Sequence, residues 1–370
     1  MISSNMKWKE VLEIKSGKNQ KDVADINGCY PIYGSGGIIG YSKEYLCPAG
    51  TTIIGRKGTI NSPLYVNEPF WNVDTAFGLI PSQQLVSKYL YYFCCYFNFK
   101  ALDKSTTIPS LAKRDLENIE MNVPPLDEQF RIVARIEELF SELDKAVDTL
   151  KTTKEQLEVY RQAVLKDAFS DFEKKDSIRN LTMVVTSGSR GWAKYYSNSG
   201  ALFVRIGNLT HSGIDIDFRD IQHITPPDNA EGVRTRLQPN DVLVSITADL
   251  GSIGFVSEKV EEAYINQHIA LVRFRNPVQG RFMAWYLRSE YGQKDLLKNK
   301  RGGGKLGLGL DDIRDTPVPI VSDLVAQKTV DEIEERLSVC DSIEKTVDAT
   351  LAQADAMRQS ILKQSFEEKI

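Results

Sequence analysis

Two stretches of the 370-residue chain repeat one another: RQAVLKDAF at Arg161–Phe169 and RQSILKQSF at Arg358–Phe366. The same shift of 197 positions relates further residues upstream: Ile136 with Ile333, Glu137 with Glu334, Glu138 with Glu335, and Asp144 with Asp341. It also relates Leu111, Asp115 and Leu116 to Leu308, Asp312 and Ile313. A duplicated unit around two unlike segments predicts a protein that performs one task twice, in two different ways.

The repeats lie in two long stretches whose apolar residues recur at alternating steps of three and four. Such spacing, sustained over several heptads, is typical of a coiled-coil stripe. Pro124 and Pro125, followed by Asp127 and Glu128, indicate where the first helix starts. The seam residues predicted for helix pairing are Ile136, Leu139, Leu143, Leu150 and Leu157 in the first helix, and Ile333, Leu337, Ile343, Val347 and Ile361 in the second.

The partner of each stripe follows from the connection between them. A globular segment returns the chain from one helix to the other, so antiparallel pairing of the two helices is the simpler geometry. The alternative is two separate helical hairpins, each packed on its own neighbouring domain, because the period of a stripe does not identify what covers it.

The two unlike segments alternate short apolar runs with glycine turns. The first contains YPIYGSGGIIGY at Tyr30–Tyr41 and TTIIGRKGTIN at Thr51–Asn61; the second contains VRIGNL at Val204–Leu209 and YINQHIALVRF at Tyr264–Phe274. A helix is predicted after each set of strands, near 86–97 and 282–297. We therefore predict an α+β fold with two mixed-sheet domains related by pseudo-two-fold symmetry, at 1–124 and 176–322, and two long antiparallel coiled-coil helices, at 125–175 and 323–370.

The charge of the chain is unevenly distributed. Its net charge is −4, but residues 1–124 and 176–322 each carry +2, whereas the two helical stretches carry −3 and −5. The mixed-sheet segments therefore remain free to face phosphates. The odd count of five cysteines, the absence of a signal-like start and the lack of a long apolar run predict a reduced, cytoplasmic protein without a membrane segment.

Sequence patterns for catalysis are missing. No Cys or His pair has the spacing of metal ligands. GGGKLG at Gly302–Gly307 lacks the Ser or Thr that follows the lysine of a P-loop. We accordingly predict no metal, no cofactor and no catalytic residue.

Polar loops between strands are the candidates for contact with nucleic acid, because phosphate contacts set position and base contacts set sequence. They lie at 15–21, 55–58 and 104–107 in the first domain and at 187–194, 247–252 and 298–305 in the second. The Gly-rich segment 298–305 is the most cation-dense and is predicted to clamp a phosphate. Arg56 and Lys57 have an alternative role as solvated hairpin residues, Trp192 is predicted to be core, and Arg205 a paired structural arginine. The predicted DNA-binding residues are Lys15, Lys18, Lys21, Arg56, Lys57, Lys104, Arg190, Lys194, Lys298, Lys300, Arg301 and Lys305.

Along essentially its whole length the chain resembles the specificity subunit of type I restriction-modification systems. The resemblance lies in YPIYGSGGIIGY, in IIGRKGTI with FWNVDTAF, in VPPLDEQFRIVARIEELF, and in RGWAKYY followed by FVRIGNL. These motifs occur in order around the 197-residue repeat. The chain departs from the pattern at VPIVSDLVAQKTVDEIEERL, which lacks the double proline and the Glu-Gln pair of the first junction.

The resemblance implies a non-catalytic protein with two target recognition domains, each reading one half of a split, asymmetric site in double-stranded DNA. It also implies two S-adenosylmethionine-dependent methyltransferase subunits and additional restriction subunits as partners. The alternative is a non-catalytic coiled-coil scaffold whose two domains bind proteins. Salt dependence separates these hypotheses, because binding through several phosphates weakens steeply with salt.

Overall fold

The computed structural model describes residues 4–228, 230–298, 300–301 and 306–367. The chain divides into two compact units: Met1–Leu150 with Asp348–Ile370, and Lys151–Val347. Each unit holds a set of sheets and one segment of each long helix. No helix among the described residues combines the length and apolarity that crossing a bilayer requires.

The first half of the chain leads from short strands into a long helix. In chain order its elements are β1 (Ser4–Lys7), α1 (Trp8–Val11), β2 (Leu12–Ser16), β3 (Tyr30–Gly34), β4 (Gly37–Ser42), β5 (Thr51–Gly55), β6 (Leu64–Val66), β7 (Trp71–Asn72), β8 (Ala76–Pro81), α2 (Ser87–Tyr96), a 3-10 turn (Phe99–Leu102), α3 (Lys113–Glu117), β9 (Glu120–Val123) and α4 (Leu126–Phe169).

Three sheets form the first unit. An antiparallel sheet has the order β2-β8-β5-β6, a second has the order β4-β3-β7 with β3 and β7 parallel, and β1 pairs with β9. The core between the first sheet and α2 is rich in aromatic residues: Trp8 and Phe99 are fully buried, and their ring centroids lie 6.0 Å apart. This burial of large rings stabilises the platform from which the loops project.

The second half repeats the order. Its elements are β10 (Lys174–Ser177), α5 (Ile178–Leu181), β11 (Thr182–Ser187), a 3-10 turn (Trp192–Tyr195), β12 (Tyr196–Ser197), β13 (Ala201–Val204), a 3-10 turn (Ile206–Asn208), β14 (Gln222–Ile224), α6 (Ala230–Thr235), β15 (Val242–Ser245), β16 (Ile253–Phe255), β17 (Ala263–Ile265), β18 (Ile269–Phe274), α7 (Gln279–Arg288), α8 (Glu290–Leu296), α9 (Leu310–Arg314), β19 (Pro317–Pro319) and α10 (Asp323–Glu367).

The sheets of the second unit match those of the first, with one additional strand, β12, at the edge of the second sheet. The orders are β11-β18-β15-β16, then β12-β14-β13-β17 with β13 and β17 parallel, and β10 with β19. Helices α3 and α9 start 197 positions apart, and so do α4 and α10. The predicted α+β class with two mixed-sheet domains is confirmed, and the duplication extends from the helices to the sheets.

The long helices run antiparallel within the second unit. Arg161 donates from Nη2 to Oδ1 of Asp341 at 2.6 Å and to Oε2 of Glu344 at 2.9 Å. Toward the end of α4, Asp167 pairs at 2.8 Å with Arg336, which precedes Asp341 on α10. Position rises on one helix as it falls on the other. The predicted antiparallel pairing is confirmed, and the hairpin alternative is wrong because α4 is one continuous helix.

The same contacts recur within the first unit. Arg358 bonds to the carboxylate of Asp144, and its guanidinium carbon lies 5.0 Å from the ring centroid of Phe140. Phe366 packs on α2, with its centroid 5.2 Å from that of Tyr89. Its mate in the repeat, Phe169, lies 5.5 Å from Phe282 of α7. The repeated motif therefore ends on an aromatic anchor that docks against a sheet-packing helix.

Most of the predicted seam is shielded from solvent. Ile136, Leu157, Ile333, Leu337 and Val347 are buried, and Leu139, Leu143, Leu150 and Ile361 are half-buried. The prediction is wrong at Ile343, which is 41% exposed. The seam takes Glu344 there, because the buried guanidinium of Arg161 requires a carboxylate opposite it.

The structure also corrects one predicted helix and explains the unlike junctions. The helix predicted over 282–297 is two helices, α7 and α8, because Ser289 is extended and its hydroxyl accepts from the Gly292 amide at 3.3 Å. At the first junction Gln129 is fully buried and bonds the Val86 amide at 2.7 Å. Its mate at the second junction is Ala326, which packs in the apolar core instead.

Candidate nucleic-acid interface

In the first unit, one predicted loop contacts β7 and a second contacts the connection between β7 and β8. After β2, the Lys18 amide donates to the Asn72 carbonyl at 3.0 Å, and the Trp71 indole donates back to the Lys18 carbonyl at 3.1 Å. After β5, the Arg56 amide donates to the Thr75 carbonyl at 2.8 Å. The sheet edge therefore holds both loops by their backbones and leaves their side chains available.

The third predicted loop of this unit joins the second. The Gly58 amide donates to the Pro109 carbonyl at 2.8 Å, and the Leu111 amide donates to the Arg56 carbonyl at 2.9 Å. Lys104, in the loop before Pro109, lies 2.9 Å from Asp115. Residues that are distant in the sequence thus form one continuous loop surface.

The second unit joins its loops in the same way. The Ile246 amide donates to the His268 carbonyl at 2.9 Å, and the Leu308 amide donates to the Ile246 carbonyl at 2.9 Å. A cleft of about 700 Å³ lies beside these bonds, lined among others by Arg190 and Arg301. Members of all three segments predicted for this domain, 187–194, 247–252 and 298–305, therefore line one cleft.

A glycine fixes the first loop of each unit. A Cβ on Gly17 would lie 1.9 Å from the Val73 carbonyl oxygen, and a Cβ on Gly188 would lie 2.3 Å from the Asn266 carbonyl. Both glycines follow a serine at the end of the matching strands β2 and β11. Because only glycine permits this approach, the shared Ser-Gly dipeptide is a sequence signal for the two equivalent loops.

The predicted cations of the first unit differ in their surroundings. Among the described residues, Lys18, Lys21 and Lys57 are exposed and form no ion pair. Lys15 lies 3.5 Å from Glu13, and Arg56 donates to the Asp74 carbonyl at 3.3 Å with its guanidinium carbon 5.8 Å from the centroid of Phe77. Lys18, Lys21 and Lys57 can therefore bind an anion without first breaking an ion pair.

The cations of the second unit also fall into groups. Lys298 and Lys300 are exposed, and the amine of Lys194 lies 4.8 Å from the ring centroid of Tyr195. Arg301 is neutralised by Asp312 at 3.0 Å, which makes it a structural residue of its turn. Lys305 lies outside the described residues.

Two further predictions for this unit concern Trp192 and Arg205. Trp192 is 3% exposed and stacks on Phe203 with centroids 5.2 Å apart, so its predicted core role is confirmed. Arg205 lies 3.5 Å from the carboxylate of Asp220 and donates to its carbonyl at 3.3 Å, as expected for a paired arginine. Trp192 is therefore withdrawn from solvent, whereas Arg205 lines a separate cleft with its partner Asp220.

A Ser-His-Asp cluster braces the turn 247–252. Nε2 of His211 lies 2.7 Å from Oδ1 of Asp249 and 3.1 Å from Oγ of Ser252. The hydrogen bond from His211 holds the pKa of Asp249 below its usual range. A nucleophilic triad places serine and aspartate on opposite imidazole nitrogens, whereas here both meet the same one and Ser252 is buried. The cluster therefore stabilises the turn.

Two residues of α6 at this surface were not predicted from the sequence. Arg234 donates to the Ser187 carbonyl at 2.7 Å and to Oγ of Ser189 at 2.7 Å, and Glu231 accepts from the Trp192 indole at 2.5 Å. The first half of the chain has no helix that corresponds to α6 among its described residues. Neither repeat nor spacing could have identified these contacts.

The structure defines a binding protein with two related units. Each unit has a set of mixed sheets, a segment of the antiparallel long helices and a surface that carries cationic loops. Residues 3–159 match the family model of the type I restriction modification DNA specificity domain. The chain is 23% identical over 350 residues to the type I restriction enzyme EcoBI specificity subunit of Escherichia coli. The aligned region covers 85% of this chain and 72% of that protein. The chain is 20% identical over 389 residues to the EcoDI specificity subunit of Escherichia coli, covering 96% and 86%.

Solved structures agree on the fold. A chain from a type I R-M system, described for its complex assembly and conformational transition, superposes with a TM-score of 0.76 at 15% identity and covers 100% of this chain and 98% of that one. The HsdS subunit of Thermoanaerobacter tengcongensis superposes with a TM-score of 0.54 at 15% identity, covering 100% and 97%. The matches to the family model and to the curated specificity subunits confirm the resemblance predicted from the sequence, and the solved structures confirm the fold.

Proposed function

We propose that the chain recognises a bipartite, asymmetric DNA site and positions the other subunits of a type I restriction-modification complex on it. The observation that carries this proposal is the convergence of three predicted loops in each of two units that share a fold, with Lys18, Lys57 and Lys104 on the loops of the first unit and Arg190 and Arg301 on two loops of the second. The shared scaffold supports two equivalent ways of approaching a duplex. The different loops support two different half-site sequences.

The cations present at each surface suit different tasks. Lys18 and Lys57 in the first unit, and Lys298 in the second, are exposed lysines on long flexible side chains. Such point charges suit phosphates, which recur along any sequence. A guanidinium held in a fixed place suits a base edge. We propose that the remaining cations predicted in these loops act beside them, with paired Lys15, Lys104 and Arg301 chiefly holding the loops in shape.

Exposed apolar residues near the start of each long helix support docking of a subunit on each unit. Leu126 and Phe130 of α4 are 43% and 60% exposed, and Leu324 and Val325 of α10 are 81% and 39% exposed. Exposed apolar side chains grouped at corresponding places indicate interaction sites. We propose that each of two S-adenosylmethionine-dependent methyltransferase subunits covers one of these patches, and that restriction subunits join the core. The chain itself has no catalytic role in this scheme.

Sequencing of modified bases tests the proposal directly. DNA from cells that carry the chain with its methyltransferase partner should contain a split methylated motif, and the motif should disappear when the gene for the chain is deleted. Exchange of residues 1–124 for those of another specificity subunit should change one half of the motif only. An exchange that alters both halves together would contradict independent reading by two domains.

Salt dependence tests the mode of binding in the assembled complex. Affinity for DNA through several phosphates should fall steeply between low and moderate salt. Affinity that does not change with salt would favour the protein-binding scaffold instead. The division at 1–124, 125–175, 176–322 and 323–370 into recognition domains and spacer helices is part of the proposal, and the cytoplasmic location remains a prediction.

A further inference from the structure

One short helix of the second unit holds the loop 187–192 at both ends. At the start of the loop, the Arg234 guanidinium donates to the Ser187 carbonyl and to Oγ of Ser189, each at 2.7 Å. At its end, Glu231 accepts from the Trp192 indole at 2.5 Å. Glu231 and Arg234 are three positions apart and therefore share a face of α6. The loop is clamped between them.

The base of the loop is fixed independently of the clamp. The backbone at Gly188 crosses Asn266 so closely that an added Cβ would meet the Asn266 carbonyl at 2.3 Å. Trp192 is 3% exposed and stacks on Phe203. Loop 187–192 is thus anchored by its backbone at one end and by a buried ring at the other, so the residues between the anchors have defined positions.

Of the residues between the anchors, Arg190 is the one that carries a charge. Its side chain is exposed and lines the cleft of about 700 Å³ beside Thr247 and His268. Within the part of the chain that the structure describes, Arg190 has neither an ion pair nor a hydrogen bond. It therefore offers an unneutralised guanidinium from a rigid loop.

The other cations of the same surface lack one of these two properties. Arg301 shares the cleft, but Asp312 neutralises it at 3.0 Å. Lys298 and Lys300 are exposed amines that follow α8. A lysine amine on its flexible side chain can bind a phosphate in many positions. The planar guanidinium of arginine can donate two parallel hydrogen bonds in one plane.

We propose that Arg190 reads a guanine in the half-site bound by the second unit, and that Arg234 and Glu231 are positioning residues for it. This inference rests on the proposed function. Guanine presents N7 and O6 as adjacent acceptors in the major groove, and an arginine fork matches them. The hydrogen bonds of Arg234 and Glu231 to loop 187–192 hold the Arg190 guanidinium in a position from which it can contact one base pair of the site.

The test uses the chain with its methyltransferase partner and measures the methylated motif in cellular DNA. Arg190→Ala should relax one position of one half-site, with discrimination between guanine and other bases falling by about 10- to 100-fold. The other half-site should remain unchanged. Lys259→Ala is the matched control, since Lys259 is an exposed cation of the same unit in a turn away from the cleft, and its motif should equal that of the wild type.

The positioning role has a separate test. Arg234→Lys keeps the charge, but an amine cannot reproduce the fork that joins Ser187 to Ser189. This variant should relax the same position as Arg190→Ala, more weakly, while the salt dependence of DNA binding stays as in the wild type. Because both residues act through one contact, the double variant should match Arg190→Ala alone.

The outcomes separate this inference from the proposed function. A wild-type chain that yields no split motif would overturn the proposed function itself. A wild-type motif together with an Arg190→Ala variant that weakens methylation equally at every sequence would make Arg190 a phosphate contact and overturn only the inference. Relaxation of a different position by Arg234→Lys, or additive effects in the double variant, would overturn the positioning role.

Discussion

Arg161 donates from Nη2 to Oδ1 of Asp341 at 2.6 Å, and its mate in the repeat, Arg358, bonds to Asp144 in the same way. Each pair joins α4 to α10 within one unit. The two pairs are the same contact with the helices exchanged, because both members are displaced by 197 positions. The same shift of 197 positions therefore relates the contacts that set the helix register in the two units.

The Arg161 pair should contribute to stability because it is shielded from solvent. The Arg161 side chain is 8% exposed and bonds two carboxylates. A hydrogen bond that involves a charged group contributes about 1.5–3 kcal/mol. Because one nitrogen, Nη2, makes both bonds, Arg161→Ala should lower the free energy of unfolding by about 2–3 kcal/mol. Equilibrium unfolding in urea measures the change.

Arg336 supplies the matched control on the same helix pair. It bonds to Asp167 at 2.8 Å, but the two side chains are 40% and 72% exposed. Exposed pairs contribute up to about 1 kcal/mol, so Arg336→Ala should cost no more than that. Equal losses in the two variants would mean that burial of Arg161 does not strengthen its pair.

The glycines that cross the sheet edge give a second prediction. Gly188→Ala would place a Cβ 2.3 Å from backbone atoms of Asn266, and overpacking of this kind costs about 1–3 kcal/mol. We expect lower stability and loss of recognition at one half-site. Gly213→Ala in the same unit should change stability by less than about 0.5 kcal/mol, because no atom lies within 4 Å of its added Cβ.

The corresponding change in the first unit checks the equivalence of the two loops. Gly17→Ala would meet the Val73 carbonyl oxygen at 1.9 Å, whereas Gly36→Ala would meet nothing within 4 Å. Recognition at the opposite half-site should fail with Gly17→Ala and persist with Gly36→Ala. Loss of the same half-site in both the Gly17 and Gly188 variants would contradict a separate task for each loop.

The repeat made much of the fold predictable. A shift of 197 positions relates Phe169 to Phe366 and Asp144 to Asp341, and in the structure both members of each pair occupy equivalent contacts. Predictions from periodicity were weaker. Ile343 matches the apolar pattern but is exposed. Glu344 faces the other helix instead, where its carboxylate accepts a hydrogen bond from Arg161.

The site was predictable as loops but not as contacts. Glycine turns and cations pointed to the segments around Arg56 and Arg190. Backbone hydrogen bonds join the Arg56 segment to its neighbours, and Arg190 lines a cleft that it shares with the other loops of its unit. The brace by Arg234 spans more than forty positions between side chains and carbonyls without any repeat to reveal it. Such long-range polar contacts depend on tertiary placement, which residue order alone does not supply.

A buried pair in the second unit leads to a prediction about pH. Asp241 is fully buried, and Arg273 donates to both of its carboxylate oxygens at 2.7 Å. Burial raises the pKa of Asp241 although Arg273 opposes the rise. Removal of the arginine by Arg273→Met should raise this pKa further and cost about 3–5 kcal/mol at neutral pH, because a buried carboxylate is left without its partner.

The sign of the pH dependence follows from that shift. A carboxyl whose pKa is higher in the folded state is penalised while it is ionised, so the deficit of Arg273→Met should be full above the folded pKa and shrink as the pH falls through it. Unfolding in urea at several pH values measures the deficit against the wild type. The double variant Asp241→Asn with Arg273→Met has no carboxyl at this site, so its own free energy of unfolding should lack the pH dependence that Asp241 adds to Arg273→Met. A deficit of Arg273→Met that is constant with pH would show that Asp241 is not the cause.

The length of the long helices should set the distance between the half-sites if the proposed function is correct. Insertion of four residues into one helix adds about 6 Å at 1.5 Å per residue, so the gap in the methylated motif should lengthen by no more than about two base pairs at 3.4 Å each. Insertion of seven residues into both helices keeps the paired faces aligned, since the heptad is the period of the seam, and should lengthen the gap by about three base pairs. Modified-base sequencing measures both gaps while each half-site sequence serves as an internal control. A gap that stays the same in both variants would mean that the helices do not determine the separation.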